Sequence, residues 1–112
     1  MTERKQALQE LRDKVAERGF SFCHADSVLG YQNGHHAMNA FYGSLDAAKA
    51  LHEAVLPGWV NVDIKWVSTR IVSIGSVEMS DGRSVSKSES NDPSRAWLLC
   101  ILDALIAEAD NG

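Results

Sequence analysis

The chain has 112 residues, 45% hydrophobic and 23% charged, with a formal net charge of −4. That is one domain's worth of sequence, spanning 1–112, too apolar for disorder and too acidic for a nucleic-acid binder that works by bulk positive charge. The longest apolar run, Ala96–Leu102, stops at Asp103, well short of the about 20 residues of a membrane span, and the charged N-terminus has no apolar leader, so a soluble intracellular protein is expected.

The first predicted element is a helix over Thr2–Arg18, with Leu8, Leu11 and Val15 on one face, Gly19 as its C-cap and Phe20 closing it. Residues 20–43 read as a loop-rich segment. Cys23–Leu29 can form a short helix, Gly30, Asn33-Gly34 and Gly43 punctuate the remainder, and one extended piece is expected around Met38–Tyr42. Ser44 is a good N-cap for a helix running to about Val55, with Asp46 in its first turn and Pro57-Gly58 ending it.

Trp59–Val67 is the clearest strand, with Val60, Val62, Ile64 and Trp66 alternating with Asn61, Asp63 and Lys65. Arg70–Met79 is a second strand, in which Gly75 marks a bulge or a close backbone approach. Asp81-Gly82 is a hairpin turn signal, and Arg83–Glu89, with only Val85 apolar, reads as a solvated edge strand. Asn91 or Asp92 then caps a last helix, with Pro93 at its first position, which runs to about Ala109. Its apolar positions cover more than half its circumference, so it is the expected centre of the core. The resulting class is α+β: a short antiparallel three-strand sheet in α-α-β-β-β-α order, a single layer sandwiched by helices.

Motifs that carry chemistry are sparse. There is no G-x-S-x-G, P-loop, G-x-G-x-x-G or H-E-x-x-H, and an enzyme is not expected. His24, His35 and His36, with Cys23 and Asp26, match no closed zinc pattern and read as incidental histidines of a surface loop, so no metal and no cofactor are expected. Cys23 and Cys100 read as reduced thiols, and Cys100 as an inert packing group on the apolar helix. The carboxylates Asp103, Glu108 and Asp110 read as a solvated face or dipole partners. Trp66 and Trp97 read as core. Trp59 shares the wet register with Asn61 and Asp63, so either another segment covers it or it is an exposed anchor for a partner. Ser84, Ser86, Ser88 and Ser90 fit a soluble edge, or one that accepts a partner's strand.

Ala40–Leu51, Leu56–Trp59 and Asp92–Ala107 together resemble small phage and prophage proteins of the ABA-sandwich domain type, in which Tyr42, Leu45, Asp46, Ala47 and Ala48 fit the start of the first helix and Ala96, Leu99, Cys100 and Leu102 the last. The resemblance implies a phage origin and a sandwich of helices around a small sheet, without catalytic residues. Small size and acidic charge then point to an accessory protein that acts by binding, inhibiting a host factor such as a CRISPR or other defence component in the bacterial cytoplasm. Trp59, Tyr31 and Tyr42 are the candidate binding residues, and direct nucleic-acid binding is not expected. The alternative is a nucleotide or small-molecule pocket built from Tyr31, His35, His36, Phe41 and Tyr42 beside Arg70 or Arg83. A structural homo-oligomer is a weaker reading, and a homodimer is compatible with each. Within the net charge, residues 2–18 hold +1, 19–58 −2, 59–90 zero and 91–112 −3, so an electropositive partner is sought at the two later helices.

Overall fold

The structure, a computed structural model, describes residues 2–17, 20, 22–59, 61–68, 73–80, 85–90 and 92–111. Among these residues five helices and three strands follow one another as α1 (Thr2–Ala16), α2 (Phe22–Leu29), α3 (Tyr31–Phe41), α4 (Leu45–Val55), β1 (Asn61–Ser68), β2 (Ser73–Ser80), β3 (Val85–Ser90) and α5 (Pro93–Asn111). The strands form an antiparallel meander in the order β1-β2-β3, with Val62 opposite Met79, Ile64 opposite Val77 and Val77 opposite Ser88. The α+β expectation, a short three-strand sheet packed by helices, therefore holds. Gly19, the Asp81-Gly82 turn, Arg70, Arg83, Ser84 and Asn91 lie outside the described residues, as does the side chain of Trp66.

The predicted caps are in place. Ser44 Oγ accepts the Ala47 amide at 3.1 Å, and Asp92 Oδ1 accepts the Ser94 amide at 2.9 Å, with Pro93 as the first residue of α5. Leu8, Leu11 and Val15 of α1 are fully buried, and so are Leu98, Cys100, Ile101 and Leu102 of α5.

Two expectations are corrected. Residues 20–43 are not loop-rich: α2 and α3 form a helical hairpin whose only intervening residue is Gly30, at φ 94°. The Asn33-Gly34 turn signal lies inside α3, and Met38–Phe41 is helical. The reason is tertiary. A Cβ on Gly34 would sit 3.0 Å from the backbone of Asp26, so the glycine lets α2 and α3 cross closely, and that packing overrides its turn preference.

The layer order also differs. Helix α5 packs on all three strands, and α1, α3 and α4 pack on α5. Asp63, Lys65, Glu78, Lys87 and Glu89 on the other face of the sheet are exposed. The sandwiched layer is thus α5, not the sheet. What brings α5 so close to the sheet is a run of small residues. A Cβ on Gly75 would lie 2.6 Å from Pro93 Cα, which settles that glycine as a close approach in an unbroken register. Ser86 and Ser88 also face α5 and are buried, while Val85 is 65% exposed. The edge strand therefore turns its serines inward and its one valine outward, the reverse of a solvated serine edge.

Candidate functional site

The polar side chains that reach the interior are used in holding α5. Ser86 Oγ donates to the Cys100 carbonyl at 2.9 Å, and Cys100 Sγ lies 3.1 Å from the Ser86 carbonyl. Burial pushes the Cys100 thiol up to about 11, the inert state expected of it, whereas Cys23 is exposed. Ser94 Oγ donates to the Ala40 carbonyl at 2.8 Å, which ties the start of α5 to the end of α3.

The carboxylates of α5 are not a free acidic face. Asp103 accepts Arg12 Nε at 2.7 Å and Ser88 Oγ at 3.2 Å, joining α1, α5 and β3. Glu108 accepts Trp59 Nε1 at 3.0 Å. The expectation that an electropositive partner meets this helix is weakened accordingly, because two of its acidic groups already serve as internal acceptors.

Trp59 is 3% exposed, so of its two readings the covered one holds and the exposed anchor does not: the turn after α4 and the hydrogen bond to Glu108 hold it inside. It nevertheless lines a groove of about 480 Å³ between α4 and β1, walled by Val62 and Pro57 and floored by His52, Trp59 and Trp97. Lys49 and Glu53, a loose pair at 3.8 Å, stand at its rim. A hydrogen-bonded chain consumes the polar atoms of the floor. Trp97 Nε1 donates to His52 Nδ1 at 3.3 Å, and His52 Nε2 lies 2.6 Å from the Trp59 carbonyl. Since an indole N–H can only donate, Nδ1 is the acceptor and Nε2 carries the proton to that carbonyl. The floor is therefore aromatic and apolar, with His52 oriented by both neighbours. Beside the groove, β1 pairs only with β2 among the described residues, and Ile64, on the same face as Val62, is 39% exposed.

Tyr31 and Tyr42 are 69% and 73% exposed. They stand at opposite ends of α3 and neither lines the groove that Trp59 lines, so the structure does not gather the three candidate residues into one site. The nucleotide pocket does not form among the described residues. Tyr31, His35 and Tyr42 lie on an outward helix face, Phe41 points inward under Arg95, and Arg70 and Arg83 lie outside the described residues. His35 and His36, neighbours in a helix, point about 100° apart and do not converge on one ion. No group of three or more His, Cys, Asp or Glu among the described residues is placed to hold a metal.

The sequence hides the groove because its walls come from three separate segments. The one available signal is the pairing of Trp59 with a strand whose alternation leaves Val62 and Ile64 on one face. No helix among the described residues is long and apolar enough to cross a membrane. Compared with known proteins, the chain matches no family model, no curated protein and no solved structure.

Proposed function

We propose that this chain is a small phage-type accessory protein that acts by binding, and that it inhibits a host protein, such as a component of a CRISPR or other defence system, in the bacterial cytoplasm. The observation that carries the reading is the juxtaposition of the outer edge of β1, unpaired among the described residues, with the groove floored by Trp59 and Trp97. A free strand edge offers a ladder of backbone donors and acceptors, and a groove at its side takes every second side chain of an added strand. The occupant that fits is an extended segment of the target with an apolar side chain over the indoles and polar neighbours at Lys49 and Glu53.

A nucleotide is the poorer fit. The volume suits a ligand pocket, but the polar atoms of the floor are already paired and leave little to orient a base or a phosphate. Support for the phage setting comes from the resemblance of residues 40–51, 56–59 and 92–107.

The test is capture from infected host cells with tagged protein, comparing wild type with Val62→Lys, whose long side chain would occupy the groove. The expected result is a stoichiometric partner that Val62→Lys loses while keeping the wild-type circular dichroism, and that a peptide from one extended segment of the partner displaces. Recovery of no stoichiometric partner, or equal recovery with Val62→Lys, would contradict the reading.

A further inference from the structure

Helix α3 presents a second surface that the groove does not use. Tyr31, His35, Met38 and Tyr42 have the spacing i, i+4, i+7, i+11, which places them in one stripe along the helix, the spacing of a helix-packing seam. The adjoining side of α3, with Gly34, Ala37 and Phe41, is buried against the rest of the protein. The stripe borders that side and reaches solvent at its two ends: both tyrosines are exposed, and His35 and Met38 are half-buried.

The rings of this stripe are held in place rather than loose. The His35 ring lies 4.6 Å from Phe22 and 4.6 Å from Tyr31. Tyr42 stands edge-on to Phe41 at 5.1 Å, and Phe41 is itself fixed by a stack on Phe20 at 5.2 Å and by the Arg95 guanidinium at 4.6 Å. Aromatic side chains already fixed in the free protein lose little rotamer entropy when a partner covers them.

Charge says what that partner is. Residues 27–45 contain no Asp, Glu, Lys or Arg over 19 consecutive positions, in a chain that is 23% charged. Depletion of charge together with enrichment in Tyr and Met is the compositional mark of an interface centre. A strongly charged partner finds no formal charge on the helix itself to pair with. A second copy, carrying −4 and repelled elsewhere, meets no formal charge here.

The pattern is also self-complementary. In an antiparallel two-fold contact centred between His35 and Met38, Tyr31 meets Tyr42 of the other copy and His35 meets Met38. Every contact then occurs twice, as an isologous interface requires. We propose that the outward face of α3 takes the same face of a second copy, in antiparallel contact, to form a homodimer. One face of an 11-residue helix is about 16 Å long, which sets a small interface and a weak, reversible association. Such a dimer would carry two β1 grooves.

The experiment is sedimentation over a concentration series with wild type, Tyr31→Glu/Tyr42→Glu, and Cys23→Ser/Tyr31→Cys/Tyr42→Cys. The expected result is a reversible monomer–dimer equilibrium for wild type and a monomer for the double glutamate variant, with dimer affinity reduced at least tenfold. Oxidation of the cysteine variant should give intermolecular 31–42 disulfides by mass spectrometry, since 11 residues of helix keep the two thiols of one chain apart. A wild-type protein that stays monomeric at millimolar concentration would overturn the proposal. So would a dimer indifferent to the glutamates, or disulfides that join 31 to 31 and 42 to 42. Loss of a host partner by a monomeric glutamate variant, with wild type monomeric too, would assign the face to that partner and also overturn it.

Discussion

Helix α5 and helix α3 both carry aromatic and small residues, yet they lie differently in the molecule. Helix α5 is the middle layer, with the sheet on one side and α1, α3 and α4 on the other, and its polar groups at Ser94, Asp103 and Glu108 each have a partner. Helix α3 buries one side and leaves an uncharged aromatic stripe outside. The difference separates what holds this protein together from what it offers to others. Around α5, polar chemistry is spent on structure; on α3, and at the open edge of β1, surface is left over.

Substitutions along α5 and its contacts should break the fold, and those on the α3 stripe should not. The largest effect is expected at Gly75→Val. The new side chain meets the Pro93 backbone, which cannot move without displacing α5, so a loss of about 3 kcal/mol or more is expected in urea denaturation. Leu102→Ala comes next, with a cost of about 3 kcal/mol from lost burial and the cavity left behind. Asp103→Ala removes the acceptor of both Arg12 and Ser88 and should cost about 1–2 kcal/mol, measured the same way. Gly34→Ala is the matched test on α3. The contact with Asp26 is tight, but alanine gains about 1 kcal/mol in helix propensity, so the net loss should be near 1 kcal/mol or less.

Stability should also respond to alkali through Cys100. Its thiol is raised from the ordinary 9.0 to about 11, so the folded state holds the proton more tightly than the unfolded chain does. That contribution is complete below about 9 and is lost as pH rises through about 11; the denaturation midpoint should fall across that window, and less steeply in Cys100→Ala. A pH dependence identical in the two proteins would contradict burial of this thiol. Smallest of all, Tyr31→Ala and Tyr42→Ala should each change stability by less than about 0.5 kcal/mol, because their exposed rings contribute little to the monomer. A larger loss in dilute solution would mean that the stripe belongs to the core.

The parts of the fold that are legible in the sequence are those where local signals and tertiary packing agree. Leu8, Leu11 and Val15 recur at helical spacing and are buried together; Ser44 and Asp92 cap where short polar side chains cap; and the alternation of β1 matches its pairing with β2. Legibility fails where packing overrides the local signal. Gly34 reads as a turn and marks a close crossing of backbone, whereas Gly75 leaves a bulge and a close approach both open until the packing of α5 decides for the second. Ser86 and Ser88 read as wet because serine usually is, yet small size and a hydroxyl that can reach a helix carbonyl suit them to the tight space beneath α5. For Trp59 the alternation leaves cover and exposure both open, and the contacts that decide it are remote in sequence. Its partners, His52 and Glu108, stand 7 and 49 positions away.

The central claim, that function lies at the open edge of β1 and its groove, is tested most directly by amide hydrogen exchange of the protein alone and with its captured partner. The account predicts new protection at alternate amides of Asn61–Ser68, those on the unpaired edge, together with slowed exchange along α4. Protection confined to α3, or no change along β1 with the partner bound, would contradict it.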